Sequence, residues 1–369
     1  MTRSQEGLAP GAGAVSRPEA GPVAKAEAGP EAGGASAGVA RPAGRRRRRQ
    51  RRPQVGRWRR GRVAAAVALL TALALAGHRR VPSLGVHLGS LWESALPWAG
   101  VVVPAVLLVA ALRRAPVPAC AAVMLAAVWA VVLGPVLAGG GPPPGGGAGP
   151  AGGAGLTAVT HNVSAQNPDP AGTARALLAA RPDLVALEEV TDAALPVYQH
   201  VLDAELPHRT RIGTVALWSR YPLTDARRLT IDPGWSRSLR AEVQAPGGPL
   251  AVYVVHLASV RLNVTGFATT HRDRNLAALG AALDEEPLRR VLLLGDLNTA
   301  AGDHALAPVT SRLSSAQDSA GGGFGFTWPA VFPLARIDHV MTRGLSATAA
   351  WTLPATSSDH LPAAARLTP

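Results

Sequence analysis

Leu292-Leu293-Leu294-Gly295-Asp296-Leu297-Asn298 is a short apolar run that breaks at a glycine and closes on a carboxylate and an amide two residues apart. Side chains of an extended chain alternate between faces, so Asp296 and Asn298 share a side. A run this short, bounded by turn formers, reads as a buried strand whose end holds polar groups with little positional freedom. The same texture repeats on either side of it. Leu156 to Val163, Leu184 to Leu187, Val215 to Trp218, Leu250 to Val255 and Val291 to Leu294 predict strands, and Thr173 to Ala180 and Arg272 to Leu283 predict helices. Alternation of this kind marks an α/β domain.

This domain begins abruptly at Leu156. The chain has 369 residues, of which 40 are Gly and 32 Pro, with 47% hydrophobic and 17% charged residues, a mixture unlike one average soluble domain. Residues 1–62 hold 15 basic and 4 acidic side chains, a net +11 out of the chain's +13, whereas 156–369 nets −1. The basic character therefore belongs to the tail. Residues 1–44 carry almost no large apolar side chain and read as disordered. The arginine block that follows, from Arg45 to Arg62, abuts an apolar run; it reads as a juxtamembrane cytoplasmic block under the positive-inside pattern rather than as a nucleic-acid arm.

Val63 to Gly77 is uncharged but only 15 residues long, short of the roughly 20 a helix needs to cross a bilayer. Ser94 to Leu112 and Ala115 to Ala138 are better candidates, giving about three transmembrane helices in 63–138. If all three cross, the tail and Arg113-Arg114 lie inside, and everything after the third helix lies outside. If the first does not cross, the C-terminal domain stays cytoplasmic. Residues 139–155, nearly all Gly, Pro and Ala, read as a flexible linker to a domain at 156–369. The single cysteine, Cys120, excludes an internal disulfide and a cysteine-based zinc site. Lys25 is the only lysine against 36 arginines, the codon bias of a G+C-rich bacterial genome.

Five strand endings carry chemistry: Asn162 after Thr-His, the pair Glu188-Glu189, His256 after Val-Val, Asp296 with Asn298, and two Asp-His pairs, Asp338-His339 and Asp359-His360. Each alone has an ordinary reading as a turn former or a satisfied histidine. Together, hard oxygen ligands and imidazoles without cysteine suit Mg²⁺, Mn²⁺ or Ca²⁺ with histidines free for acid/base work. Strand alternation lets only one of Glu188 and Glu189 face the site, with Glu189 the choice and Glu188 structural or solvent-facing. The same alternation turns His339 away from the direction of Asp338. Arg240, Arg274 and Trp328 read either as groove-lining or as packing and surface residues.

The ordered set Asn162, Glu189, Ser-Arg-Tyr-Pro-Leu at 219–223, His256, Gly-Asp-Leu-Asn at 295–298, Ile-Asp-His at 337–339 and Ser-Asp-His at 358–360 resembles the endonuclease/exonuclease/phosphatase superfamily of DNase I-like hydrolases. The resemblance covers 156–369 and implies a four-layer α/β/β/α sandwich with the site at one edge of its two sheets. It implies Glu189 as metal ligand, with Asn162 a ligand or phosphate contact. It makes Asp296 and Asn298 the pair that orients the attacking water and the scissile phosphate, and His360 the general base. Asp359 becomes a metal neighbour or a stabilising carboxylate, His256 a contact to the phosphoryl oxygens, and Asp338 the carboxylate that orients His360. Position 188 is Glu where the family frequently has Gln.

The expectation is a multi-pass plasma-membrane protein whose extracytoplasmic domain is a divalent-metal-dependent phosphodiesterase or phosphomonoesterase, with no obligate protein partner. Its substrate is a nucleic acid or a phospholipid headgroup: the near-neutral domain lacks the basic surface of a duplex-DNA binder, while tethering at a bilayer suits either ester. A noncatalytic surface-tethered binding module is the alternative from another class, and the occupied acid, base, metal and orienting positions argue against it.

Overall fold

The computed structural model describes residues 61–80, 88–138, 155–232, 234–263 and 266–369. The basic tail before residue 61 and nearly all of the expected linker lie outside the described residues.

The described residues begin with four helices, α1 (Arg62–Ala76), α2 (Leu88–Ser94), α3 (Val102–Arg113), which continues a 3-10 turn at Leu96–Val101, and α4 (Pro116–Ala138). Then follow β1 (Leu156–Asn162), α5 (Pro170–Leu178), β2 (Leu184–Glu188), α6 (Leu195–Leu202), β3 (His208–Ile212), β4 (Val215–Ser219), β5 (Leu223–Arg228), β6 (Ser238–Ala245) and β7 (Gly248–His256). After the small ribbon β8 (Arg261–Asn263) and β9 (Gly266–Ala268) come α7 (Thr270–Asp284), β10 (Val291–Asp296), α8 (Ala307–Thr310), β11 (Ser314–Ser315) and α9 (Ala316–Ala320). β12 (Asp338–Arg343), β13 (Ser346–Thr352) and β14 (Ala363–Thr368) complete the chain.

Two six-stranded mixed sheets result, ordered β13-β14-β1-β2-β4-β3 and β11-β12-β10-β7-β6-β5. In each, one parallel pair sits near the middle, β1 with β2 and β7 with β10. The runs of Val, Leu and Ala are continuous because these strands are covered on both faces. Leu156, Ala158, Leu184 and Ala186 of the first sheet meet Val252, Val254, Leu292 and Leu294 of the second in a shared core. The alternate residues face outward: Val185 and Leu187 pack under α5 and α6 through Leu177 and Leu202. Val291 and Leu293 pack under α7 through Leu276 and Leu279. The layers are thus helices, sheet, sheet and helix, as the sequence implied.

Of the N-terminal helices, Leu96–Arg113 and Pro116–Leu137 are long and apolar enough to cross a membrane, with mean hydropathy 1.9 and 2.4 and only 22% and 17% of those windows buried. α1 is apolar but has 15 residues. Gly61 at its start lies against Ala115 and Pro118, and near its end the Ala74 carbonyl accepts the Trp92 indole N–H at 3.2 Å. The starts of α1 and α4 therefore share one end of the helical group.

The opposite end is bonded to the α/β domain, which departs from a freely tethered arrangement. The Trp98 indole N–H donates to the Leu334 carbonyl at 2.9 Å. Ser90 Oγ donates to Asp303 at 3.0 Å, and Arg272 bridges Asp303 at 3.0 Å and Ser90 at 3.2 Å, all buried. The Glu93 carboxylate accepts the backbone N–H of His304 at 2.8 Å and meets its Nδ1 at 2.6 Å.

Candidate active site

Strand register assembles the site. Asp296, the last residue of β10, pairs with His256, the last of β7, on one side, and with Asp338, the first of β12, on the other. Because Leu292 and Leu294 face the shared core, period-two alternation sends Asp296 into the cleft between the sheets at its open edge. In the first sheet Asn162 ends β1, and its Nδ2 donates across the cleft to Asp296 Oδ2 at 3.1 Å and to Glu189 Oε1 at 3.2 Å. Gly295, with φ of 144°, lets β10 close on β7: a Cβ there would lie 1.9 Å from the Val255 carbonyl oxygen.

Glu189 reaches the cleft by breaking alternation. β2 ends at Glu188, whose side chain turns inward and is fully buried, its Oε1 accepting from Thr160 Oγ1 at 2.9 Å. Glu189 then takes a left-handed φ of 62°, and its carboxylate receives the Ala165 N–H at 3.0 Å. Both carboxylates therefore lie on the cleft side of β2. Glu188 is not solvent-facing; it is a buried group beneath the site, and burial together with the charges of Asp338 and Asp296 pushes its carboxyl well above the usual range.

The loop before β14 supplies His360. Ser358 Oγ donates to the Asn162 carbonyl at 2.6 Å and accepts the His360 N–H at 3.1 Å, tying this loop to β1. His360 Nδ1 lies 2.9 Å from Asp338 Oδ2, and its Nε2 is 3.9 Å from Asp296 Oδ2. His256 Nε2 is 3.7 Å from Asp296 Oδ2 and 3.8 Å from Glu189 Oε1. Asn298, in a left-handed turn that asparagine tolerates, donates its side-chain N–H to Asp296 and to the Leu257 carbonyl, and its backbone N–H to Asp296 Oδ1.

These distances fix the protonation states. Burial alone would lower His360, but the charge and hydrogen bond of Asp338, with help from Asp296 and then Asp359, hold it up at about 10. The Asp338 carboxyl, despite burial, is held below its usual value by His360. Burial and the Asp338 charge push Asp296 up to about 7, against His360 and two hydrogen bonds. Burial, reinforced by Arg237 and His360, brings His256 down to about 4 and keeps it neutral. Burial works against the Glu189 carboxylate, but the Ala165 amide, His256 and Asn162 hold it below its ordinary value.

The structure thus brings Asn162, Glu189, His256, Asp296, Asn298, Asp338 and His360 into one cleft. Asp359 is exposed, its backbone carbonyl accepting from Ala330, and it adds the smallest of the charges that raise His360. His339 is buried with Nε2 on the Thr299 carbonyl at 2.9 Å. Arg240 belongs to a buried network with Glu286 and Asp225, Arg274 is exposed, and Trp328 sits half-exposed in the loop that carries Ala330. The residue missed by sequence reasoning is Arg237. Its carbonyl accepts the His256 N–H at 2.9 Å, its guanidinium stacks 3.8 Å from the centre of the exposed Trp235 ring, and it feels the charges of Glu189, Asp232 and Asp296. Its position one residue before β6 was the available signal, since β6 pairs with β7 and so runs beside His256.

Ligand atoms of Asp296, Asp338 and His360 lie within 4.8 Å of one another. The buried Asp338 Oδ1 and His256 Nδ1 have no hydrogen-bond partner among the described residues. Carboxylate oxygens of Asp296 and Glu189, drawn together by the Asn162 side-chain N–H groups that donate to both, converge on one edge and fit a hard divalent cation.

The sequence matches the Endonuclease/Exonuclease/phosphatase family over residues 159–360. The uncharacterized protein YbhP of Escherichia coli strain K12 is 30% identical over 161 residues, 41% of this chain and 61% of that protein; the match from Shigella flexneri has the same extent. The chain spans about three fifths of the length of these curated relatives. Among solved structures, a humanized D. rerio TDP2 superposes with a TM-score of 0.50 at 19% identity, covering 58% of this chain and all of that one. D. rerio TDP2 in complex with a single-strand DNA product gives 0.50 at 18%, covering 58% and 99%. These last two are likenesses of fold. With the family match extending from β1 to His360 and enclosing every residue of the cleft, the chain belongs to the Endonuclease/Exonuclease/phosphatase family.

Proposed function

We propose that this chain is a membrane-anchored, divalent-cation-dependent hydrolase of phosphodiesters. The observation that carries the reading is the convergence on one cleft edge of His256, Asp296 and Asp338, in register on adjacent strands of one sheet, with His360 from the loop before β14 bonded to Asp338 and with Asn162 and Glu189 of the other sheet opposite. Glu189, Asp296 and Asn162 would hold the cation. When bound, it offsets charge on the nonbridging oxygens of the phosphoryl group.

The protein's own groups supply the remainder. Asp338 fixes His360 so that Nε2 faces Asp296, and a water in reach of both groups is placed to attack phosphorus: Nε2 takes its proton as the new P–O bond forms, the P–O bond to the leaving alcohol breaks, and the leaving oxygen takes a proton from solvent. In the cation-free arrangement His360 is an imidazolium. Positive charge brought in beside Asp296 would offset one of the carboxylates that hold that proton and so lower His360 in the direction a general base requires, while Asp338 keeps its orientation. Neutral His256 and cationic Arg237 face the same edge and are suited to hydrogen-bond phosphoryl oxygens as charge builds on them.

Two observations support a substrate at the membrane surface. Arg62 and Arg113 lie at the end of the helices away from the α/β domain and Arg79 and Arg80 at the other, and the basic tail that precedes Arg62 in the sequence tips the positive-inside balance in favour of a domain outside the cytoplasm. The loop that leads toward Asp338 carries Val331 and Phe332, 98% and 64% exposed, with the Phe332 ring 6.1 Å from that of Trp98 at the start of a candidate span. Such a loop beside the cleft favours a phospholipid headgroup over a nucleic acid. The test is hydrolysis by the full chain of phosphatidylglycerol in vesicles, single-stranded DNA and a soluble chromogenic phosphodiester, with Mg²⁺, Mn²⁺, Ca²⁺ or EDTA. Lipid turnover that EDTA abolishes and Asp296→Ala removes supports the proposal; DNA turnover alone overturns its substrate, and cation-independent turnover overturns its mechanism. A reporter fused at residue 150 that is active only in the cytoplasm would reverse the topology.

A further inference from the structure

Where the helices meet the α/β domain, a cavity of about 120 Å³ remains, apart from the cleft. Leu96, Leu133 and Val136 form its helical wall and Phe324 and Phe326, stacked 5.1 Å apart, its other wall. Arg336, 6% exposed, lines it as well. The Arg336 Nη2 is committed to Asp318, but its Nε and Nη1 are buried with no hydrogen-bond partner among the described residues. Buried donors on a cation are costly to leave unmet, so an acceptor belongs there. The carboxylates that also line the space do not supply it: Glu93 is taken by His304, and Asp318 reaches Arg336 through Nη2 alone.

From this arrangement we infer that the cavity is a binding site for one membrane lipid, its acyl chain between the helices and the phenylalanine pair and an acceptor oxygen of its head on Arg336. Leu96 opens one candidate span and Leu133 and Val136 lie in the last turns of the other, so the helical wall is at the level where the hydrocarbon layer ends. Apolar cavities of about 150 Å³ take a six-carbon ring, so this one accommodates the part of a chain nearest its head. The site is separate from the catalytic cleft, and the inference rests on the membrane placement proposed above.

The test uses the full chain in detergent and EDTA, with dioleoylphosphatidylglycerol as probe and native mass spectrometry as readout. One lipid is expected to remain bound to the parent, with occupancy at least tenfold lower in Arg336→Met and in Val136→Trp. Val136→Trp fills the apolar wall from the membrane side and retains hydrolysis of the soluble diester, which shows that it folds. Glycerol phosphate, the head without the chain, displaces nothing. No retained lipid in the parent, occupancy in the two variants equal to the parent's, or displacement by glycerol phosphate would each overturn the inference. Carbonate washing of membranes reads the placement separately: a chain released by carbonate sinks the membrane reading, whereas one that stays embedded yet holds no lipid sinks this inference alone.

Discussion

Asp338→Asn isolates the role of the carboxylate that orients His360. The oxygen removed is fully buried and 2.9 Å from His360 Nδ1, and its charge and hydrogen bond are the main causes that raise the imidazole to about 10. With them gone, burial is the largest remaining influence, and His360 falls below its ordinary 6.5 and becomes neutral at pH 7. No uncompensated charge is left behind, so the stability lost is that of one charge-assisted hydrogen bond, about 1.5–3 kcal/mol. The sign follows from linkage: a histidine raised by folding stabilises the parent fully below pH 6.5 and loses that contribution as pH rises through about 10. The gap in Tm between parent and variant, measured without divalent cation, should therefore be widest below pH 6.5 and close above pH 10. Activity should fall by roughly 10²–10⁴, the range of a misoriented general base, measured as kcat on a chromogenic phosphodiester at saturating Mg²⁺. A variant within threefold of the parent, with the same pH profile, would refute the orienting role.

Four further outcomes follow from the geometry. Gly295→Ala must move β7 or β10, because its methyl meets the Val255 carbonyl at 1.9 Å; a loss of at least about 3 kcal/mol in denaturant unfolding is expected. Arg237→Ala should raise KM about tenfold or more while lowering kcat less, if its guanidinium binds a phosphoryl oxygen in the ground state. Asp296, raised by burial to about 7, ionises later in the folded chain than in the unfolded one, so the cation-free protein loses stability as pH rises from about 4 to 7; Mg²⁺ should raise Tm more at pH 8 than at pH 5. Replacing Val331 and Phe332 by Asp removes apolar contact worth about 1.5–3 kcal/mol each when buried, so apparent KM for vesicle lipid should rise at least tenfold while the soluble diester is unaffected.

Much of this was legible in the sequence because buried strands write themselves as uninterrupted apolar runs. Leu292 to Asn298 announces its own end, and the register of β7, β10 and β12 then follows from hydrogen bonding. Glu188 and Glu189 show the limit. Alternation admits one of them to the cleft, and the left-handed backbone at Glu189, a strained conformation for a residue with a side chain, admits both. Arg237 escaped because its role depends on which strand lies beside His256, a long-range pairing that no local pattern records. Arg240, two residues on, has the same chemistry but faces Glu286 and a structural network. The attachment of the α/β domain to the helices was equally hidden, because the bonds that make it come from Ser90, Glu93 and Trp98, far upstream of Leu156.

That fastening changes how the enzyme meets its substrate. A domain on a free leash sweeps a hemisphere, but one fixed through Trp98 and the Ser90–Arg272–Asp303 bridge keeps its cleft at constant height and heading. On the membrane placement proposed above, encounter with a lipid substrate becomes a search in two dimensions, governed by lateral diffusion. The same bonds make the α/β domain a poor soloist: released by cleavage ahead of Leu156, it would turn Phe324, Phe326 and the two-sided cation Arg272 toward water, and the new sticky face would draw copies together.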